Sequence, residues 1–220
     1  MALTLGMCAS GRHPAVFLDK DGTVVENVPY NVDPALVSFT PGAIEGLQLL
    51  ADAGFRLVMI TNQPGVGLRL FDEAALVRLQ RWLTDRLAER GITLEGFYAC
   101  THAPGLDASR PPCACRKPAP GLLLQAAEDL DLDLARSWMV GDILDDIEAG
   151  RRAGCRTVML DVGNETVWRT SPWRVPHHRA ADFWEAACHI VKHSGLDARA
   201  PDVGRLAHDV AIRGLSLIHI

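Results

Sequence analysis

The sequence predicts an α/β fold in three layers, a parallel sheet with helices on both faces. Two observations predict it. Short apolar runs alternate along the chain with amphipathic segments long enough to be crossover helices, and such crossovers between parallel strands are right-handed and cover both faces of the sheet. The 220 residues, 48% of them hydrophobic, can also close one sizeable core without a second domain.

The first strand, 15–18, is wholly apolar and ends in Asp19-Lys20-Asp21-Gly22-Thr23. Residues two apart in extended chain point the same way, so Asp19 and Asp21 can face one substrate as nucleophile and proton shuttle. The same letters also spell a strand running into an Asp-Gly turn. A loop rich in Pro and Asn follows, then a helix over 43–53 with Gly54 as its C-cap. Strand 55–60 ends in Thr61-Asn62-Gln63. The segment 72–90 carries Leu76, Leu79, Leu83 and Leu87 at helical spacing, a core stripe. Strand 97–100 leads into a Pro-rich loop, followed by helix 121–130, strand 138–140, helix 145–153 and strand 157–160. The stretch 168–178 reads as irregular, and 183–193 as a final helix.

Composition narrows the function. A formal net charge of -5 argues against a nucleic-acid-binding face. No run approaches the roughly 18 apolar residues of a membrane span, and the first residues lack the features of a secretion signal. A single domain is expected over 14–194, after a loose arm at 1–13. The remainder, 195–220, is expected to be a tail. Its last residues, Leu215-Ser216-Leu217-Ile218-His219-Ile220, match a translated sequencing-adapter peptide and are expected to be unnatural.

In an open parallel sheet, ligands bind at the carboxyl ends of strands. Asp19/Asp21, Thr61/Asn62 and Gly141-Asp142 all fall at such ends, and Lys117 precedes a helix. A phosphoryl group needs this set: a nucleophile, a divalent cation, donors for its oxygens and a fixed positive charge. Asp19, Asp142 and the carbonyl of Asp21 suit Mg²⁺, with Asp145 or Asp146 as a further carboxylate. Thr61 and the Asn62 backbone suit phosphate. Lys117 is one of three lysines in a chain of 22 Lys plus Arg, and a compact ammonium beside Arg116 fits a point contact to phosphate. Taken singly, each has a plainer reading as a turn, a helix cap or a solvated charge.

Cys100-x-His102-x(10)-Cys113-x-Cys115 offers four soft or borderline ligands in two close pairs. That pattern suits a closed, structural, tetrahedral Zn²⁺ site rather than disulfides, and hence a reducing cytoplasmic compartment. Cys8, Cys155 and Cys188 read as ordinary free or core cysteines, and His177-His178 as surface.

Asp19-Lys20-Asp21-Gly22-Thr23, Thr61-Asn62-Gln63, Arg116-Lys117-Pro118 and Gly141-Asp142-x-x-x-Asp146 resemble, in order, the four motifs of haloacid-dehalogenase (HAD)-like phosphatases. The resemblance covers roughly 15–160. It implies a Rossmann-like, HAD-type sheet without a large cap. It also implies phosphorylation of Asp19, acid/base work by Asp21, phosphate binding by Thr61 and Lys117, and Mg²⁺ held by Asp19, the Asp21 carbonyl and Asp142. The zinc loop narrows it to heptose-bisphosphate 7-phosphatases and histidinol-phosphate phosphatases. The run Arg116 to Gly121 is more similar to the former and implies that Arg116 meets the sugar or its second phosphate. The expected function is therefore Mg²⁺-dependent hydrolysis of a phosphosugar by a monomer. Histidinol-phosphate hydrolysis and a catalytically silent phosphosugar binder are the alternatives. A phosphoacceptor signalling domain fits less well, because it would have no acid at the position of Asp21 and no zinc loop.

Overall fold

The structure is a computed structural model and describes residues 12–104 and 113–195. Cys8, most of the loop between His102 and Cys113, and the adapter-like tail therefore lie outside the described residues.

Six parallel strands form one sheet in the order β3-β2-β1-β4-β5-β6. They are β1 (Ala15–Leu18), β2 (Arg56–Asn62), β3 (Leu94–Cys100), β4 (Trp138–Gly141), β5 (Arg156–Leu160) and β6 (His178–Ala180). The helices between and after them are α1 (Ala43–Asp52), α2 (Glu73–Ala88), α3 (Gly121–Asp129), α4 (Leu144–Ala153) and α5 (Phe183–His193). None of the described helices is long and apolar enough to cross a membrane.

Strand alternation explains the three layers. Val16 and Leu18 of β1 join a core shared with α1, α2 and α5. Ala15 and Phe17, pointing the other way, join a core with α3 and α4. A central strand buried on both faces must be apolar throughout, and all four residues of β1 have no exposed surface.

The chain builds outward from β1 through β2 and β3, then returns to the other flank of β1 with β4. Strand order reverses there, which opens a crevice between the carboxyl ends of β1 and β4. Asp19 and Asp142 follow those two strands.

Some segments differ from the sequence expectation: β3 begins at Leu94, three residues before the expected strand 97–100. Within 168–178 the chain makes a 3-10 turn, Pro172–Arg174, and then enters β6 at His178. A strand of three residues, two of them charged or titratable, carries no periodic signal; it exists because β5 offers an open edge. At the start of the chain, His13, the last residue of the arm expected to be loose, is instead held in place. Its N–H donates to the Asp131 carbonyl at 3.0 Å and its carbonyl accepts from Asp133 at 2.8 Å.

Candidate active site and metal centre

The crevice collects charge of both signs. Lys117, buried at 2% exposure, directs its ammonium to Asp19, to Asp146 at 2.6 Å and to the Ile60 carbonyl at 2.9 Å. The Asp19 and Ile60 contacts are hydrogen bonds and the Asp146 contact is an ion pair. Burial works against the ammonium, but Asp146 and Asp19 hold its pKa above the ordinary lysine value. Asp146 has no exposed surface, and its second oxygen accepts the Ile143 N–H at 3.3 Å, closing the first turn of α4. The carboxylates of Asp19, Asp142 and Asp146 lie within 4.8 Å of one another.

These donors fit Mg²⁺. They are hard oxygens, and one ammonium among three carboxylates leaves negative charge uncompensated. Asp142 shows the strain: burial, and after it Asp19, push its carboxyl up to about 6. Of the two further acids named from sequence, Asp146 joins this cluster through Lys117. Asp145 does not; it pairs with Arg174 at 2.7 Å on the other side of α4.

Asp21 stands slightly apart, with both oxygens engaged. Lys20, its side chain nearly buried, donates to one and Gln63 Nε2 donates to the other at 2.9 Å. Burial raises the Asp21 pKa, Lys20 opposes that, and Asp19 adds to it. Gln63 also donates to Thr61 Oγ1 at 2.9 Å, so it ties the β2 end to Asp21. Gly22, at φ +84°, is required here: a Cβ would sit 2.1 Å from Asp142 Oδ2.

The Asn62 side chain is committed to protein. Its Oδ1 accepts from the Lys117 N–H and its Nδ2 donates to the Lys117 carbonyl, both at 3.1 Å. It clamps the backbone that carries the ammonium, which leaves only its own backbone for phosphate. Arg116 is half-buried, and Nη1 of its guanidinium is buried without a partner among the described residues.

The predicted zinc ligands do converge. Cys100 Sγ lies 3.7 Å from Cys113 Sγ, 3.3 Å from Cys115 Sγ and 3.6 Å from His102 Nδ1, with His102 Nδ1 3.2 Å from Cys115 Sγ. Those edges suit a tetrahedron around an ion about 2.3 Å from sulfur, whose edge is roughly 3.8 Å, and they are far too long for disulfides. Burial pushes the Cys100 thiol up to about 12. For Cys113 burial is outweighed by hydrogen bonds from Cys115, the Arg116 backbone and Cys100, and its pKa falls. Cys115 is two residues from Lys117, so the cluster fixes the loop that presents it.

Sequence reasoning missed Lys20, Gln63, Thr23 and Asn164. Gln63 had a signal, since it lies two residues beyond Thr61 and so shares its side of the strand. Thr23 donates to Asp142 Oδ1 at 3.3 Å and Asn164 to Asp142 Oδ2 at 2.8 Å. Asn164 follows β5 and had no signal at all.

A phosphatase of the HAD type is what this arrangement defines, and comparison agrees. The family model described as HAD-hydrolase-like matches residues 114–186. D-glycero-beta-D-manno-heptose-1,7-bisphosphate 7-phosphatase of Yersinia pestis is 40% identical over 149 residues, 67% of this chain and 79% of that protein. The enzyme of the same name from Escherichia coli K12 is 38% identical over 173 residues, 78% and 87% of the two chains. Among solved structures, D,D-heptose 1,7-bisphosphate phosphatase of B. bronchiseptica, complexed with magnesium and phosphate, superposes with a TM-score of 0.67 at 28% identity. It covers 82% of this chain and 98% of its own. The chain belongs to the HAD-like phosphatase family.

Proposed function

We propose that the chain is a Mg²⁺-dependent phosphatase that removes the 7-phosphate of D-glycero-D-manno-heptose 1,7-bisphosphate through a phosphoryl-Asp19 intermediate. The observation that carries this reading is Lys117 held between Asp19 and Asp146 with Asp142 alongside. That arrangement, on a chain 40% identical to the heptose phosphatase of Yersinia pestis, supports phosphosugar hydrolysis.

In this reading an Asp19 carboxylate oxygen attacks the 7-phosphorus, and the bond from phosphorus to the C7 oxygen breaks. Asp21, whose pKa is raised by desolvation, gives its proton to the leaving C7 oxygen. The Asp21 carboxylate then takes a proton from water. That water's oxygen attacks phosphorus, the bond to Asp19 breaks, and inorganic phosphate leaves. Thr61 and the Asn62 backbone orient the phosphoryl oxygens while Lys117 balances their charge. Mg²⁺, held by Asp19, the Asp21 carbonyl and Asp142, supplies electrostatic stabilisation of charge on the transferring group. The half-buried Arg116, with a guanidinium nitrogen that lacks a partner among the described residues, is placed to meet the sugar or its second phosphate. Zn²⁺ on Cys100, His102, Cys113 and Cys115 is structural, because four protein ligands leave no open position.

Between β1 and α1 the chain makes only loops and one 3-10 turn, Pro34–Leu36. No folded cap shields the crevice from that side, and loops must supply specificity. We take residues 14–194 as one monomeric, cytoplasmic domain, where thiolates stay reduced for zinc.

The test is phosphate release with Mg²⁺ from both anomers of heptose 1,7-bisphosphate and from histidinol phosphate, with Asp19→Asn as control. Rapid turnover of one heptose anomer, lost in the variant, is expected. Preference for histidinol phosphate would overturn the substrate and keep the mechanism. No release from any of the three, with both metals bound, would overturn both.

A further inference from the structure

The connection from β5 to β6 is the one crossover without a helix of its own, and it lies against the active-site end of α4. Its anchors are specific. Glu165 Oε2 accepts the Leu144 N–H at 2.8 Å, which satisfies a free donor in the first turn of α4. Glu165 Oε1 accepts the Val167 N–H at 2.7 Å. Farther along, Arg174 grips Asp145 at 2.7 Å and Glu148 at 2.6 Å. Residue 164 is thereby held over the carboxyl end of β4, at the position of Asp142.

There Asn164 Nδ2 donates to Asp142 Oδ2 at 2.8 Å, while Thr23 Oγ1 reaches the other oxygen at 3.3 Å. The contact is packed from below as well. A Cβ on Gly22 would come within 2.5 Å of Asn164 Nδ2 and 2.1 Å of Asp142 Oδ2, so the pair packs directly on the backbone of the turn after β1. A carboxylate crowded by Asp19 and removed from water needs a donor that carries no charge to compete with a cation. An amide provides that, whereas an acid would repel Asp142 and an ammonium would compete with the metal.

We infer that Asn164 is a positioning residue for the metal site, fixing the rotamer of Asp142 so that its carboxylate is presented ready to bind Mg²⁺. The inference rests on the proposed assignment of Asp142 to the metal. Partners that orient a ligand in this way contribute about 10–100-fold to metal affinity.

The test is direct binding of Mn²⁺, followed by electron paramagnetic resonance, and its competition by Mg²⁺. It uses the zinc-loaded protein without substrate, as wild type and as Asn164→Ala, Asn164→Leu, Glu165→Ala and Asp142→Asn. The leucine variant keeps the volume of the amide, in case the alanine leaves a gap that harms folding. Affinity is expected to fall about tenfold or more in both Asn164 variants, and by less than about threefold in Glu165→Ala. Affinity within twofold of wild type in both Asn164 variants, with binding lost in Asp142→Asn, would overturn the role of Asn164 alone. An equal loss in Glu165→Ala would overturn it too, because anchoring of the connection and not the amide would then be responsible. Unchanged binding in Asp142→Asn would overturn the metal assignment beneath it.

Discussion

The two ligand clusters of this molecule lie at neighbouring strand ends and work in opposite directions on the fold. Asp19, Asp142 and Asp146 bring like charges together in a nearly water-free crevice, with Lys117 as their one buried cation. Holding them so costs stability, and in the proposed reading their arrangement serves the chemistry. Cys100 ends β3, and His102, Cys113 and Cys115 lie in no helix or strand among the described residues. There, in the proposed reading, the ligands serve the fold, because a closed ion would tie a loop that burial does not hold. The same sheet edge thus carries a site that lowers stability for function and one that adds stability so that function has a frame.

The sharpest way to break this contrast is to neutralise one acid. Asp19→Asn should lower phosphate release by roughly 10⁴-fold or more, while its thermal midpoint stays level or rises, since a charge leaves a crowded site. Steady-state turnover beside a calorimetric scan checks both. A midpoint several degrees lower would mean that the carboxylates hold the fold together.

The converse applies to the thiols. Cys113→Ser, or removal of zinc by a chelator, should lower the midpoint by roughly 5–10 °C, as expected for a few kcal/mol in a domain of this size. Turnover should fall far less than in Asp19→Asn. Zinc content measured with the melting curve tests this, and full stability after zinc is stripped would remove the structural reading.

A pH dependence sharpens the cost of the acidic site. Asp142 is raised from an ordinary 3.8 to about 6 by burial, with Asp19 adding to it. Between those values the folded chain keeps a proton that the unfolded chain has lost. The stability this contributes is complete below about pH 3.8 and disappears as pH rises through 6, amounting to no more than about 3 kcal/mol. Metal-stripped protein should therefore lose stability across that window relative to Asp142→Asn, followed by urea titration at several pH values. Saturating Mg²⁺ should reverse the sign, because the ion binds the ionised form. Parallel slopes for the two proteins would show that Asp142 does not titrate there.

How much of this could be read from the sequence follows from the range of each signal. Asp19 and Asp21 were legible because their positions depend only on a strand that ends and a period of two. The zinc ligands were legible because two close pairs are local. Helix 183–193 was found to the residue, since its apolar face is strongly periodic. Lys20 was not, although it lies between the two acids, because the direction of its side chain depends on how the chain turns after Leu18. Asn164 lies 22 residues from Asp142 and meets it only through the pairing of β4 with β5. The clamp on Lys117 was half visible: Asn62 was singled out, but for its backbone, and the partner of its amide is 55 residues away.

Asn62 is also where the contrast between the two clusters stops being clean. It ends β2 beside Cys100 on β3, and its amide grips the Lys117 backbone from both sides, while Cys115 holds the same loop two residues earlier. One loop is thus fixed twice, by hydrogen bonds and by a metal-ligand set, and its ammonium serves Asp19. Asn62→Ala should lower turnover about tenfold, roughly 1.4 kcal/mol, the smallest of these effects because the zinc ligands still hold the loop. In Cys115→Ser, with that second hold gone, the same substitution should cost more than tenfold. A double-mutant cycle on kcat reads the coupling. Additive losses would mean that the two clusters merely adjoin; a combined loss larger than the sum would mean that the thiol site acts on catalysis through the position of Lys117.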